Sequence, residues 1–543
     1  MSAPKKPLNL AVKPLAAAVT VASAMMLASQ AQAVNVSQNG LGEVLLFPYY
    51  TVRNNIDTNI NITNTSENTV IFKIRFREAH NSRDARDFNV VLSPYDVWNA
   101  TVTLSPDGSA ARIRTADQSC TAGQLPIDLG NGVRAIDFTN FDYINGTGIG
   151  PWDGGPTSLD RTKEGHIEVI QMASLAPTNP GAPSPALNFP NDGDDTPEVA
   201  DSIGYNAQHV NGVPRSCTIV RQQLGAVQIS ATRDTVSEPI NVLKGSFSLI
   251  KATEGKAFAG TPTVLANFFN PNGVDGTSNV DLLVEAASQL PSLNQALPAV
   301  VDVIDQAVAA PVVDDFIRPV DAVTAAISRV VVANQYSVNP ANAAKTDWVI
   351  SFPTKYWYVD EREAAVGLSA NGPNPPAYYG EPPFERSTTF QWPRDAQGQP
   401  TGDDCAPVKV RFRFFDREEG EVIAVDNGFS PPPPGTPADA ICFETQVVTF
   451  DNSDLFGSPI DANVNLAAAG FVSGWMRLEF PEAGTIVGDT FGYSFTGLPV
   501  IGFAATSLEN GTNGNAVLNY GQLWDHGYVT DISPVIPYPV SAP

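Results

Sequence analysis

Side chains able to do chemistry are sparse in this chain, and imidazole chemistry has only four places to live: His80, His166, His209 and His526. Glu164, His166 and Glu168 stand at i, i+2 and i+4, which on a strand sets two carboxylates and an imidazole on one face, the beginning of a metal site. The same alternation describes the solvent side of many strands, and no second histidine cluster completes a coordination sphere. An ordinary strand face is therefore expected there. Asp525 and His526 invite a hydrolase reading, but the nearest serine motif, Gly492-Tyr493-Ser494-Phe495-Thr496-Gly497, is not a G-x-S-x-G elbow and lies among strands. The chain has no Walker loop, no strand-linked G-x-G-x-x-G and no H-E-x-x-H. No catalytic residue is assigned.

Two binding chemistries have better raw material. Hard cations want clustered oxygen ligands with a glycine to permit a tight turn, and Asn191-Asp192-Gly193-Asp194-Asp195 supplies both. Asp192, Asp194 and Asp195 are the calcium candidates, calcium being the one cofactor considered. They lack the spacing of a D-x-[DN]-x-[DN]-G loop, and Asp403-Asp404 and Asp451-Asn452-Ser453-Asp454 are shorter versions of the same motif. Flat aromatic faces stack on sugar rings. Tyr356, Trp357 and Tyr358 crowd one segment, with Trp348 and Trp392 nearby. On a strand Tyr356 and Tyr358 share a face while Trp357 points away, so Trp348, Tyr356, Tyr358 and Trp392 are the glycan candidates and part of the cluster is expected to be core.

The elements that must carry these residues are mostly strands. Ile60 and Ile62, then Val70, Phe72, Ile74 and Phe76, alternate at period two, with Asn64-Thr65-Ser66-Glu67-Asn68 as turn chemistry between them. Further strands are expected near 87–92, 97–104, 165–172 and 245–251, with turns at Pro106-Asp107-Gly108 and Thr253-Glu254-Gly255-Lys256. From Thr346 onward strands return at 349–352, 356–359, 408–415, 442–450, 474–480 and 498–503. Between the two β regions, Leu282, Leu283, Ala286, Leu290, Val300, Val301, Val303, Ile304, Ile327, Val330 and Val331 follow helical spacing, cut by Pro291, Pro298, Pro311 and Pro319. The predicted fold is mainly β, two immunoglobulin-like or related antiparallel sandwich units with a short-helix insertion. The expected bounds are 34–265, 266–335 and 336–543, after a leader over 1–33.

One pattern occurs in both halves. Lys73-Ile74-Arg75-Phe76-Arg77 returns as Lys409-Val410-Arg411-Phe412-Arg413. On a strand it places three cations on one face and two apolar residues on the other, and the cations are expected to pair with carboxylates of neighbouring strands.

The leader rests on Lys5, Lys6 and Lys13, an apolar run from Leu15 to Leu27 and the A-x-A signal Ala31-Gln32-Ala33. Beyond it no apolar run approaches the roughly 20 residues of a membrane-spanning helix. An exported chain with four cysteines favours disulfides, and the preferred pairing is Cys120 with Cys217 and Cys405 with Cys442. A net charge of −25 repels phosphate backbones and anionic lipid, so no nucleic-acid partner is expected.

Gly40-Leu41-Gly42-Glu43-Val44-Leu45-Leu46-Phe47-Pro48-Tyr49-Tyr50, Leu92-Ser93-Pro94-Tyr95-Asp96-Val97-Trp98, Thr346-Asp347-Trp348-Val349-Ile350-Ser351-Phe352-Pro353-Thr354-Lys355 and Gly497-Leu498-Pro499-Val500-Ile501-Gly502-Phe503 together resemble a family of exported, functionally uncharacterised proteins of Gram-negative bacteria. The resemblance spans nearly the whole chain after the leader. It implies the compartment, secreted, surface-held or periplasmic, and brings no activity or site residues. The expected role is a noncatalytic cell-surface or extracellular structural or adhesive component, with self-assembly, a surface partner or a glycan as possible contacts. The alternatives are a secreted hydrolase of polysaccharide or ester, and a glycan- or calcium-binding module.

Overall fold

The computed structural model describes residues 33–144, 155–175, 203–226, 238–269, 286, 288, 290–296, 299–301, 312–316, 318–360, 382–384, 406–418, 420–423, 440–466, 470–489, 492–513 and 516–535. Residues 1–32 of the leader, the calcium candidates Asp192, Asp194 and Asp195, the glycan candidate Trp392, and Cys405 lie outside the described residues.

The first β region begins with β1 (Asn35–Val36), β2 (Val44–Thr51), β3 (Asp57–Asn64), β4 (Thr69–Glu78), β5 (Asp84–Leu92), β6 (Val97–Leu104) and β7 (Ala111–Thr115). It continues with β8 (Cys120–Ala122), β9 (Ile127–Gly130), β10 (Val133–Asp137), β11 (Glu164–Leu175), β12 (Leu243–Lys251), β13 (Lys256–Gly260) and β14 (Thr263–Ala266). These make two seven-stranded antiparallel sheets. Sheet I has the order β1-β14-β2-β11-β4-β5-β8 and sheet II the order β13-β12-β3-β6-β7-β10-β9. Along β3 the buried side chains are Thr58, Ile60, Ile62 and Asn64, and along β6 they are Trp98, Ala100 and Val102. Such period-two alternation buries one face of a sheet and leaves the other to solvent.

Sheet I is different, because β2, β4 and β11 are buried at every residue. Phe72, Ile74 and Phe76 of β4 face Ile60, Ile62 and Trp98 in the sandwich core. The opposite face is covered in patches. Two short helices, α1 (Ile203–Ala207) and α2 (Cys217–Ala226), put Ile203, Val220 and Leu224 against Ile71, Val91 and Met172. The Cys120–Cys217 disulfide ties α2 to β8 across 97 residues, which agrees with the expected pairing. Cys442 is also disulfide-bonded.

The second β region is a smaller sandwich. Its strands are β15 (Val331–Ser337), β16 (Lys345–Ser351), β17 (Arg411–Phe415), β18 (Glu421–Ile423), β19 (Thr445–Phe450), β20 (Ala462–Val464), β21 (Ser473–Glu479), β22 (Ile501–Asn513), β23 (Ala516–Asp525) and β24 (Gly527–Val529). Sheet III runs β18-β17-β21-β15-β24 and sheet IV runs β20-β19-β16-β22-β23, with only the β19/β20 pair parallel. Phe412, Phe414, Met476 and Leu478 of sheet III meet Trp348, Ile350 and Val448 of sheet IV in its core.

The two sandwiches share their packing through sheet IV. On β16, Trp348 and Ile350 enter the second core while Val349 enters the first. Val447, Phe503, Ala505 and Phe456 join it there against Phe47, Phe247 and Phe258. The rings interlock, with centroid separations of 5.5 Å for Tyr49 and Phe456, 5.8 Å for Phe258 and Phe456, and 5.7 Å for Phe247 and Phe503. Ala33 to Pro543 accordingly forms one compact unit.

Two local expectations need correction. Tyr356–Val359 is a short helix, α4, instead of a strand. Its Asp360 N–H returns to the Tyr356 carbonyl, and aromatic strand propensity gives way to burial of all three rings. Leu282, Leu283, Val303 and Ile304 lie outside the described residues; among the described residues of 266–335 an α-helix forms at α3 (Pro319–Ala326), opened by Pro319 at its first position. The other described pieces are a 3₁₀ turn at Leu293–Gln295 and short strands at Ala299–Val301, Val313–Asp315 and Ser328–Arg329, while β-branched Val331 opens β15.

Because Phe456 is fully buried between the two regions, Phe456→Ala should cost about 3–5 kcal/mol. Hydrogen exchange in denaturant should show β3 and β16 losing protection in one shared, down-shifted transition. Separate transitions, with only the second region shifted, would refute the shared core.

Candidate functional site

The repeated cationic pattern occupies the covered face of sheet I. Lys73, Arg75 and Arg77 are each no more than 3% exposed, and strand register delivers carboxylates to them from both sides. Asp84 and Asp87 come from β5, with Arg75 to Asp84 at 3.0 Å and Lys73 to Asp87 at 2.9 Å. Glu168 comes from β11, 3.2 Å from Arg77 and 3.5 Å from Arg75. Remaining donors go to backbone carbonyls: Lys73 Nζ to Ala286 at 2.6 Å and Arg75 Nη1 to Pro291 at 3.1 Å. A buried charge survives only when its partners saturate it. Burial alone would push the Glu168 carboxyl up, but Arg77 chiefly, then His166 and Arg75, hold it down at about 2.

At the Arg77 end the network crosses to the second sandwich. Arg77 Nη2 donates to the Tyr356 hydroxyl at 3.0 Å, and its guanidinium lies 4.7 Å from that ring centroid. Glu78 accepts from Arg161 and from the backbone N–H groups of His80, Asn81 and Arg83, fixing the turn that presents Asn81 and Arg83 to Asp360. Beside them Lys355 donates to the Cys442 carbonyl at 2.7 Å. Burial pushes Lys355 down to about 8 and Glu444 up to about 8. Here the ionisable groups join two sandwiches.

The sites expected from sequence are dispersed. Glu164 accepts from the Tyr49 hydroxyl and from Arg53 Nε, and Glu168, though its Oε1 lies 3.9 Å from His166 Nε2, is paired with Arg75 and Arg77. His166 is fully buried with Nδ1 3.3 Å from Thr445 Oγ1, and burial lowers its pKa. Among the described residues no group of His, Cys, Asp and Glu is arranged to hold a metal ion. His526 Nε2 donates to the Val349 carbonyl at 3.0 Å and Nδ1 accepts from Asn334 at 3.2 Å. Burial pushes that imidazole down to about 4, so it is neutral at pH 7 with both nitrogens engaged. Ser494 donates to the Ser533 carbonyl. Trp348, Tyr356 and Tyr358 are at most 1% exposed and offer no face to a sugar. Tyr358 instead donates to Asp321 Oδ1 at 2.6 Å, fastening α4 to α3.

Sequence reasoning missed an open groove of 820 Å³ in the second sandwich, lined by Gln335, Phe415, Asp416, Arg417, Trp475, Gln522 and Trp524 among others. Register puts Phe415 opposite Trp475 and Trp475 opposite Gln335, one row across three adjacent strands. The Phe415 and Trp475 rings stack at 4.2 Å and 11°, and Trp475 remains 41% exposed. Gly474 permits the approach of β17, since a Cβ there would fall 1.9 Å from the Phe415 carbonyl oxygen. Thr506 and Gln522, also paired in register, line the sheet IV side. Asp416 is oriented by the N–H groups of Glu418 and Gly420, whereas Arg417 is exposed and forms no ion pair among the described residues. The single foreshadowing signal was Phe415 itself, two residues past the repeated pattern.

Two carboxyls of opposite behaviour test the buried electrostatics. Glu168 lies below its ordinary 4.5, so its stabilisation is full above that pH and fades as pH falls toward 2. Glu168→Gln should cost about 3–5 kcal/mol at pH 7 and weaken the acid dependence of urea midpoints. An unchanged midpoint would contradict the assigned pairing. Asp347, whose Oδ2 accepts from Phe456 N–H at 3.0 Å, is pushed up by burial to about 7 from 3.8. Its contribution is full below about 3.8 and is lost as pH rises through 7. Asp347→Asn keeps that acceptor and should flatten the fall in stability between about pH 4 and 7; an equally steep fall would show that other groups govern it.

No family model, no curated protein and no solved structure matches the chain.

Proposed function

We propose that the protein is an exported, noncatalytic structural or adhesive component of a bacterial cell surface or extracellular matrix. The observation that carries this reading is the shared core, in which Val349, Val447, Phe456 and Phe503 of the second sandwich pack into the first. Burying rings across the junction and spending buried charges there holds two sandwiches rigidly, a property suited to a load-bearing or displaying scaffold. The His526 and His166 groups, which a hydrolase or metal reading would use, are engaged in bonds that hold strands together. The leader pattern supports the compartment.

Immunogold microscopy on the source cells, with fractionation of medium, periplasm and outer surface, tests the reading. Label on the outer surface, on fibres or in a surface layer is the expected result. Label confined to soluble periplasm would overturn it.

A further inference from the structure

We infer that the groove bounded by Phe415, Trp475, Gln335, Gln522 and Trp524 binds a neutral polysaccharide, a few pyranose units at a time. The inference deepens the surface-component reading by naming what such a component would hold, while resting on its own geometry. Trp475 supplies a half-exposed indole braced by the Phe415 ring stacked at 4.2 Å, so a large flat platform is already in place. A pyranose presents a flat apolar C–H face to such a platform and its hydroxyls to the rim. The rim is made of groups that both donate and accept: Gln335, Gln522 and Asn342. Gln335 and Gln522 are exposed and so can present their amides to a sugar hydroxyl. The volume of 820 Å³ lies within the roughly 300–1,000 Å³ of ordinary ligand sites.

The surroundings discriminate among occupants. One acid, Asp416, and one base, Arg417, balance the groove, while the chain as a whole carries −25 and repels polyanions. Uronate or sulfated polymers and nucleic acid are thereby disfavoured against neutral glycans. An added peptide strand needs unpaired backbone at a sheet edge, but in the platform row β17 and β21 are paired on both sides within sheet III, and on β15, whose ladder with β24 ends at Ala333, the Gln335 N–H donates to Asn334 Oδ1 and its carbonyl accepts from Trp348 Nε1. The recognition must come from side chains.

Native gels cast with laminarin, hydroxyethylcellulose or galactomannan, and polygalacturonate as the anionic control, test this on the full exported chain. At least one neutral polymer should retard the protein. Trp475→Ala should weaken that retardation about tenfold or more, Trp475→Phe should retain most of it, and Gln335→Ala should fall between them. Phe141→Ala, which removes a 60% exposed ring outside the groove, should behave as wild type. Circular dichroism melts establish that each variant folds. Retardation unaffected by Trp475→Ala, retardation only by polygalacturonate, or none by any neutral polymer would each overturn the inference. Surface location is read separately by the immunogold experiment, so either idea can fail without the other.

Discussion

The requirement that three buried cations be neutralised on one face of sheet I governs much of the architecture. Lys73, Arg75 and Arg77 cannot stay protonated under cover unless carboxylates and carbonyls surround them, and Asp84, Asp87 and Glu168 meet part of that demand within the sheet. The remainder is met from outside it: carbonyls of Ala286, Ser288 and Pro291 over the middle of the stripe, and Tyr356 at its end. Satisfying the charges therefore recruits the intervening segment and α4. The chain after the first sandwich is drawn onto sheet I by electrostatics as much as by apolar burial.

Apolar packing completes the union from another side. A strand in an ordinary sandwich offers one face to one core, whereas β16 serves two, with Trp348 and Ile350 in the second and Val349 in the first. Polar clasps bracket this junction: Asn54 donates to the Asp454 and Leu455 carbonyls, and Lys256 pairs with Glu509 at 2.7 Å. Relative motion of the sandwiches would have to unpack rings and strand charges together. That combination holds the two sandwiches as one compact unit.

The legible parts of the sequence were those written in local periodicity. Alternation in Thr58–Asn64 and Val70–Phe76 identified the strands and their inward faces, the pattern of Lys73 to Arg77 identified a stripe that needed acids, and Gly255 marked a turn where φ is +64°. Whether a stripe is buried could not be read, because cover comes from residues more than 200 positions away. The Tyr356–Val359 helix was hidden for a related reason: its aromatic composition reads as strand, and only contacts to Arg77, Asp321 and the second core make the helical turn worthwhile. The groove was the least legible feature. Phe415, Trp475 and Gln335 become neighbours solely through register across three strands, and no spacing in the sequence encodes that.

The two copies of the cationic pattern show how burial divides labour between the halves. In β4 the apolar members Ile74 and Phe76 enter a core and the cations lie under cover; in the second copy Val410 and Phe412 do the same while Arg411 and Arg413 face solvent. Arg411 and Arg413 pair with Glu479 and Glu421, surface pairs worth about 0–1 kcal/mol, so little stability depends on keeping that face closed. The face of sheet I is committed to holding the molecule together. Sheet III, freed from that duty, leaves the Phe415–Trp475 platform open, so the proposed binding surface lies on the second sandwich while the buried charges stay at the junction.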